Sequence, residues 1–158
     1  MNDNEIQQAI KDYLPQIIHM SAASVGENGK PWAWEVHYAF DDDLNLYWVS
    51  VMGARHSQEL VKNANIAGTI VVQHQPDQAP RGVSFEGTVE IVTDVTEDHP
   101  AFKVFTARFP ARAQTILEGY TKETTDPDAR RIFKVNVSDY YMAVVMDGKL
   151  TKNHLERG

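Results

Sequence analysis

The segment Trp32–Phe40 constrains this chain more than any other. Side chains of a strand alternate between two faces. Here Trp32, Trp34, Val36, Tyr38 and Phe40 share one face, while Ala33, Glu35, His37 and Ala39 share the other. A helix would scatter those five large groups around its circumference; a strand gathers them into one core-facing stripe. The opposite face, built from small and hydrogen-bonding residues, lets a flat ligand lie close to the backbone. An ordinary half-solvated strand shows the same pattern, so the segment alone leaves both readings open. Trp32, Trp34 and Trp48 all read as core residues.

The period of two recurs along the chain. His19–Val25, Leu46–Met52, Ile66–His74, Val83–Ile91, Ile132–Val137 and Tyr140–Met146 read as further strands, with turn chemistry in Gly26-Glu27-Asn28-Gly29 and Asp41-Asp42-Asp43. Gly87 marks a place where a barrel bends. Helical spacing is rarer. Ile6, Ile10, Tyr13, Leu14 and Ile17, capped by Asp3-Asn4 and stopped by Pro15, predict a helix over 4–14. A short helix is expected over Arg55–Asn63, and a longer helical stretch over Pro100–Glu118, interrupted at Pro110. Residues 121–129 read as a polar connector, and Asp147-Gly148 leads into a short tail. About seven strands with few helices predict a mainly β, antiparallel barrel with peripheral helices. Residues 1–158 form one domain. The strand–helix alternation of a doubly wound sheet is missing, as is any G-x-G-x-x-G.

Composition removes several function classes. The chain has no cysteine, which excludes disulfides, thiolate metal sites and cysteine nucleophiles, and suits a cytoplasmic location. No run is long enough to span a bilayer, and the acidic, polar start reads as no signal peptide. A formal net charge of −7 repels phosphodiester backbones, so nucleic acid is not the expected partner. An anionic ligand would need a local cluster of donors and cations.

One segment supplies such a cluster: Ser50-Val51-Met52-Gly53-Ala54-Arg55-His56-Ser57, where a strand gives way to a helix. A helix N-terminus offers unpaired N–H groups and the positive end of the dipole. Gly53 allows close approach, Arg55 offers a bidentate fork, His56 another donor, and Ser50 or Ser57 a hydroxyl. Ser57 acting only as a helix cap and Arg55 only as a solvated charge would explain the same residues.

The run Trp48–Ser57, then Leu60 and Asn63-Ala64-Asn65, resembles the segment that binds the phosphate of flavin mononucleotide (FMN) in pyridoxamine 5′-phosphate oxidase-like split barrels. Ala67-Gly68-Thr69, Arg81-Gly82-Val83-x-Phe85-x-Gly87 and Arg108-Phe109-Pro110 are similar to small bacterial members of that superfamily. The resemblance covers most of residues 5–150. It implies a split β-barrel, an FMN cofactor, a homodimer with the flavin at the subunit interface, and an oxidoreductase acting on a small molecule. By position, Ser50, Arg55 and His56 would hold the phosphate. Glu35, Val36 and His37 would lie along the isoalloxazine, with Val49 and Ser57 completing the cofactor set. Ala54 and His56 stand where the family often has serine and lysine, so the grip is expected to be weaker and pH-sensitive. The oxidase's Tyr-x-x-x-Arg-x-x-x-Ser series is missing, and residues 152–157 only faintly match its C-terminal ending, so oxidation of pyridoxamine 5′-phosphate is not expected.

No catalytic acid or base stands out. The six histidines show no H-x-H or H-x-x-x-H spacing, so no metal site is expected, although His37 shares a face with Glu35 and is a candidate proton donor. No G-x-S-x-G elbow marks a hydrolase. Two other functions fit the same residues: a flavin-binding module without turnover, and a split barrel holding a deazaflavin or haem.

Overall fold

The structure is a computed structural model and describes all residues 1–158. Helix α1 (Asp3–Tyr13) is capped by Asn2, one residue before the expected cap. Asn2 accepts the Glu5 N–H at 3.0 Å, and Glu5 reaches back to the Asn2 N–H at 2.8 Å. This reciprocal capping box satisfies two donors at once, which outweighs a cap at Asp3-Asn4. Pro15 then tightens Leu14–Gln16 into a 3-10 turn, and the chain enters β1 (His19–Val25).

The remaining elements are β2 (Pro31–His37), β3 (Ala39–Phe40), β4 (Leu46–Val51), α2 (Arg55–Lys62), β5 (Asn65–Val71) and β6 (Gly82–Ile91). They are followed by α3 (Pro100–Arg108), a 3-10 turn at Pro110–Arg112, α4 (Ala113–Tyr120), β7 (Arg130–Met146) and β8 (Lys149–Glu156). Every strand pairing is antiparallel, in the order β2-β1-β5-β6-β7-β4-β3, with β8 added to β7. Only Tyr38 separates β2 from β3, so the two ends of that order are one bent segment and the sheet curls back on itself. The expected antiparallel barrel with peripheral helices is what the chain forms. No helix is long and apolar enough to cross a membrane.

The corner at Tyr38 is pinned from several sides. Its hydroxyl donates to the Leu14 carbonyl at 2.7 Å. Arg108, at the end of α3, donates to the carbonyls of Tyr38 at 3.1 Å and of Ile17, with its guanidinium 4.8 Å from the centre of the Tyr38 ring. Inside the barrel, Ile6, Ile10 and Leu14 of the N-terminal segment pack against Trp48, Phe85, Phe133 and Tyr140. Outside it, α3 and α4 seal a second cluster in which Phe102, Phe105 and Ile116 cover Tyr47, Val92 and Ile132.

Three expectations need correction. The strands foreseen at Ile132–Val137 and Tyr140–Met146 are one strand, β7. Its register against β6 shifts between Glu86 and Gly87, leaving Ser138 as an extra residue, which is a β-bulge. The bend expected at Gly87 falls here, where a Cβ would sit 2.3 Å from the Asn136 carbonyl oxygen. The tail is not a tail. Lys149–Glu156 forms β8, paired with β7 from Met146↔Lys149 to Asp139↔Glu156. Trp32 is not in the core: β2 is a terminal strand, and Trp32 remains 39% exposed at its open side.

The most demanding buried group is Arg131, which is 5% exposed and has no carboxylate partner. It donates to the carbonyls of Gly119 at 2.7 Å and Lys122 at 2.6 Å, just past and at the end of α4, and to Thr124 Oγ1 at 3.2 Å. The Gly119 carbonyl also takes the Lys122 N–H at 3.3 Å, whereas the Lys122 carbonyl, beyond the helix, depends on Arg131. Arg131→Met keeps the stem but strands the acceptors, so unfolding stability should fall by about 2–4 kcal/mol. Urea denaturation of the two proteins measures the difference, and equal midpoints would show the interaction to be dispensable.

Candidate functional site

The turn from β4 into α2 is held from both sides. The Met52 and Gly53 N–H groups donate to the carbonyls of Ala129 and Pro127, each at 2.8 Å. Ser57 Oγ donates to the Val51 carbonyl at 2.7 Å, and Gln58 Nε2 to that of Met52 at 2.6 Å. Two expected roles change as a result. Ser57 is fully buried with its hydroxyl spent on Val51, so it braces the turn instead of presenting itself to a ligand. Gly53 is required by the connector, because a Cβ there would lie 2.8 Å from Pro127 Cβ.

What the brace leaves open is the first turn of α2. Its N-cap, Ala54, has no side-chain cap, and no hydrogen bond is made by the N–H groups of Arg55, His56 and Ser57. Over this turn lie Ser50 and His56, with Ser50 Oγ and His56 Nε2 sharing a hydrogen bond of 2.6 Å. The His56 ring is half-buried and stacks on Trp34, centroids 4.5 Å apart and planes within 8°. Burial holds the His56 pKa below the ordinary imidazole value, with Glu59 pulling weakly the other way. Trp34 Nε1 is buried beside this stack without a hydrogen-bond partner.

Arg55 stands at the rim. Its Nε pairs with Glu59 Oε1 at 2.8 Å, and its guanidinium lies 4.2 Å from the centre of the Trp32 ring. Glu59 is fixed in turn by the buried Ser24 hydroxyl. These bonds hold the Glu59 carboxyl below the usual carboxylate range. The terminal nitrogens of Arg55 make no hydrogen bond, so the fork is aimed by Glu59 and Trp32 yet remains open to an anion.

The other expected residues lie elsewhere. Glu35 and His37 point to the outer face of β2, opposite Trp34 and Val36. Glu35 accepts from Ser21 Oγ at 3.2 Å, while Val36 packs against the barrel core. His37 stacks on Phe109 at 5.1 Å and lies 4.5 Å from His19, with no hydrogen bond at either ring. Burial, then His19, Arg112 and Arg108, hold the His37 pKa down. Val49 turns toward the cluster beneath α3 and α4, which removes its side chain from the Ser50 face. Thus Ser50 and His56 pair, Arg55 precedes His56 in α2 but rests on Glu59 and Trp32, Glu35 and His37 form a separate outward group, and Val36, Val49 and Ser57 are packing residues. The sequence reading missed Trp34 and Glu59 as site residues. The i,i+4 spacing of Arg55 and Glu59 on a helix is a legible signal for the second; nothing local marks the first.

Known proteins share this architecture. The family described as pyridoxamine 5′-phosphate oxidase matches residues 6–143. A UPF0306 protein of Haemophilus ducreyi is 33% identical over 81 residues, 50% of this chain and 56% of that protein. One from Yersinia pseudotuberculosis is 24% identical over 111 residues, 70% and 74% of the two chains. Among solved structures, a haem-binding protein of Mycobacterium smegmatis superposes with a TM-score of 0.71 at 16% identity, covering 93% of this chain and 57% of that one. HutZ of Vibrio cholerae, described as a haem storage protein, gives 0.59 at 16% identity over 81% and 87%. A putative 5-nitroimidazole resistance protein of Bacteroides thetaiotaomicron gives 0.63 at 19% identity over 84% and 80%. The chain thus spans just over half of the first of these relatives and of the mycobacterial structure. At these identities the solved structures speak for the fold alone, while the family match covers most of the sequence: the chain belongs to the pyridoxamine 5′-phosphate oxidase family.

Proposed function

We propose that this protein binds FMN and works as an FMN-dependent oxidoreductase, with the flavin phosphate at the first turn of α2. The observation that carries this reading is the pair of uncapped N–H groups at Arg55 and His56, beside the Arg55 fork and the Ser50–His56 pair. In a chain of net charge −7 that set attracts an anion and little else. The residues present fit a phosphate. The N–H groups and Arg55 bind it, Ser50 and His56 add hydrogen bonds, and the braced turn holds them in place. Backbone groups on the free edge of β2, around Glu35–His37, are available to the polar edge of a flat ring system. When bound, flavin supplies the hydride chemistry, so the protein need only orient it and tune its surroundings.

A homodimer belongs to the same proposal. Two cross-strand rows run over the outer sheet face: Ala33, Ala23 and Ala67, bounded by Glu86, and Ser21, Thr69 and Ser84, bounded by Glu35 and Tyr141. The small residues at the middle of these rows let a second copy pack closely, with residues from the Tyr140–Met146 region of the partner closing the site. Haem is the competing occupant, favoured by the haem-binding proteins of the same fold and by the imidazoles of His19 and His37, which make no hydrogen bond. A haem-bearing purified protein would show a Soret band, and a flavin-bearing one the two flavin bands.

The phosphate reading predicts that FMN binds more tightly than riboflavin. Arg55→Ala should weaken FMN about ten- to a hundredfold, the value of one charge-assisted contact, and leave riboflavin unchanged. Calorimetric titration of both ligands into both proteins checks this, and equal FMN affinities would remove Arg55 from the site. For the dimer, Ala67→Glu plants a charge in the small-residue row and should yield monomers by sedimentation analysis; an unchanged mass would place the interface elsewhere. Pyridoxamine 5′-phosphate should not be oxidised at a useful rate, and oxygen-dependent formation of the aldehyde would contradict that.

A further inference from the structure

We infer that an anion seated at the first turn of α2 is bound together with a proton, taken up by His56. The inference rests on the phosphate reading above and adds a property of this chain's own histidine.

The geometry sets up the exchange. His56 is the second residue of α2, so its ring sits at the positive end of the helix dipole. One face is covered by Trp34, and Nε2 is joined to Ser50 Oγ at 2.6 Å. The groups packed around it are few: Trp34 from β2, Ser50 from β4, and Glu59 one turn along its own helix. The charged groups of this turn are Glu59 and Arg55, the residue before His56, and the Glu59 carboxylate is already shared between Arg55 Nε and the Ser24 hydroxyl of β1. Burial and the helix end both favour the neutral imidazole, in agreement with its lowered pKa. A phosphate dianion at the same turn reverses the balance, because an opposite charge within a few ångströms favours the protonated ring.

The Ser50 hydroxyl changes role with that proton. While Nε2 is bare, the hydroxyl donates to it and has no hydrogen left for a third partner. Once Nε2 carries a proton it becomes the donor, and the hydroxyl hydrogen turns outward to the anion. One proton thus adds a positive charge and frees a second donor. A lysine at this position would be charged with or without ligand and would couple nothing.

The test is an NMR titration of the His56 imidazole in the full-length protein, free, saturated with FMN, and saturated with riboflavin. His56→Gln identifies its signal among the six histidines. FMN should raise the His56 pKa by about one to three units, and riboflavin should leave it in place. FMN affinity should then weaken about tenfold between pH 6.5 and 8.5, and His56→Lys should flatten that dependence. If FMN still binds more tightly than riboflavin while His56 titrates identically with either, the proton uptake is wrong and the phosphate reading survives. If the two flavins bind equally and neither moves His56, both fall.

Discussion

The fold turns on one residue used twice. Tyr38 lies between the end of one strand and the start of the next, and the sheet curls back on itself because the segment bends there and pairs with β1 on one side and β4 on the other. A bend that sharp exposes backbone groups that no ladder can satisfy. Arg108 resolves this by donating to the Tyr38 and Ile17 carbonyls while its guanidinium lies over the Tyr38 ring. The α3 helix is therefore more than a cover for the second cluster, since it delivers the cation that holds the corner. Tyr38 returns the connection through its hydroxyl to Leu14, tying the N-terminal segment to the same point.

The curled sheet fixes where β4 ends, and hence where a site can form. Strand, turn and helix meet at Val51–Arg55, and nearly every polar group of the turn is already satisfied by the connector or by α2. Such bracing resists collapse onto the uncapped helix end. Those N–H groups are therefore free because the surrounding hydrogen bonds go elsewhere. The same division explains Ser57, which sits at the third position of α2, not at its cap, and closes its hydroxyl on the Val51 carbonyl.

Much of this was legible in the sequence because alternation reports burial directly. The Trp32–Phe40 stripe, the capped first helix and the strand–turn–helix at Ser50–Ser57 all follow from periodicity and turn chemistry. What failed depended on partners distant in the chain. Trp32 has the same local pattern as Trp34, but lies where β2 has no neighbour beyond β1, so it stays exposed. Residues 132–146 show a break in alternation at Ser138, which a bulge and a loop produce equally well; only pairing with Gly87 decides for the bulge. The β8 strand carries so many charged and polar residues that its inward set reduces to Thr151, Asn153 and Leu155, too faint to separate from a tail. Val49 and Glu35 sit on correctly placed strands, but which face α3 covers cannot be read from strand period alone.

The family fold holds different prosthetic groups, so architecture cannot choose among them, and the choice passes to donors and acceptors. Iron in haem requires a lone pair, which means a neutral imidazole with an open nitrogen. A phosphate requires hydrogen-bond donors and positive charge. At the α2 turn, His56 Nε2 is already engaged by Ser50 and its ring is packed against Trp34, which leaves it poorly placed to ligate a metal. The groups left over there are N–H donors and the Arg55 fork, all of one sign. His37 of β2 and its cross-strand neighbour His19 of β1 are the imidazoles a metal could use, yet both arginines that act on His37 add positive charge beside it. The two faces of β2 thus look onto different chemistries: imidazoles on one side, and on the other the N–H groups and the Arg55 fork of the β4–α2 turn, which carry the proposed anion site.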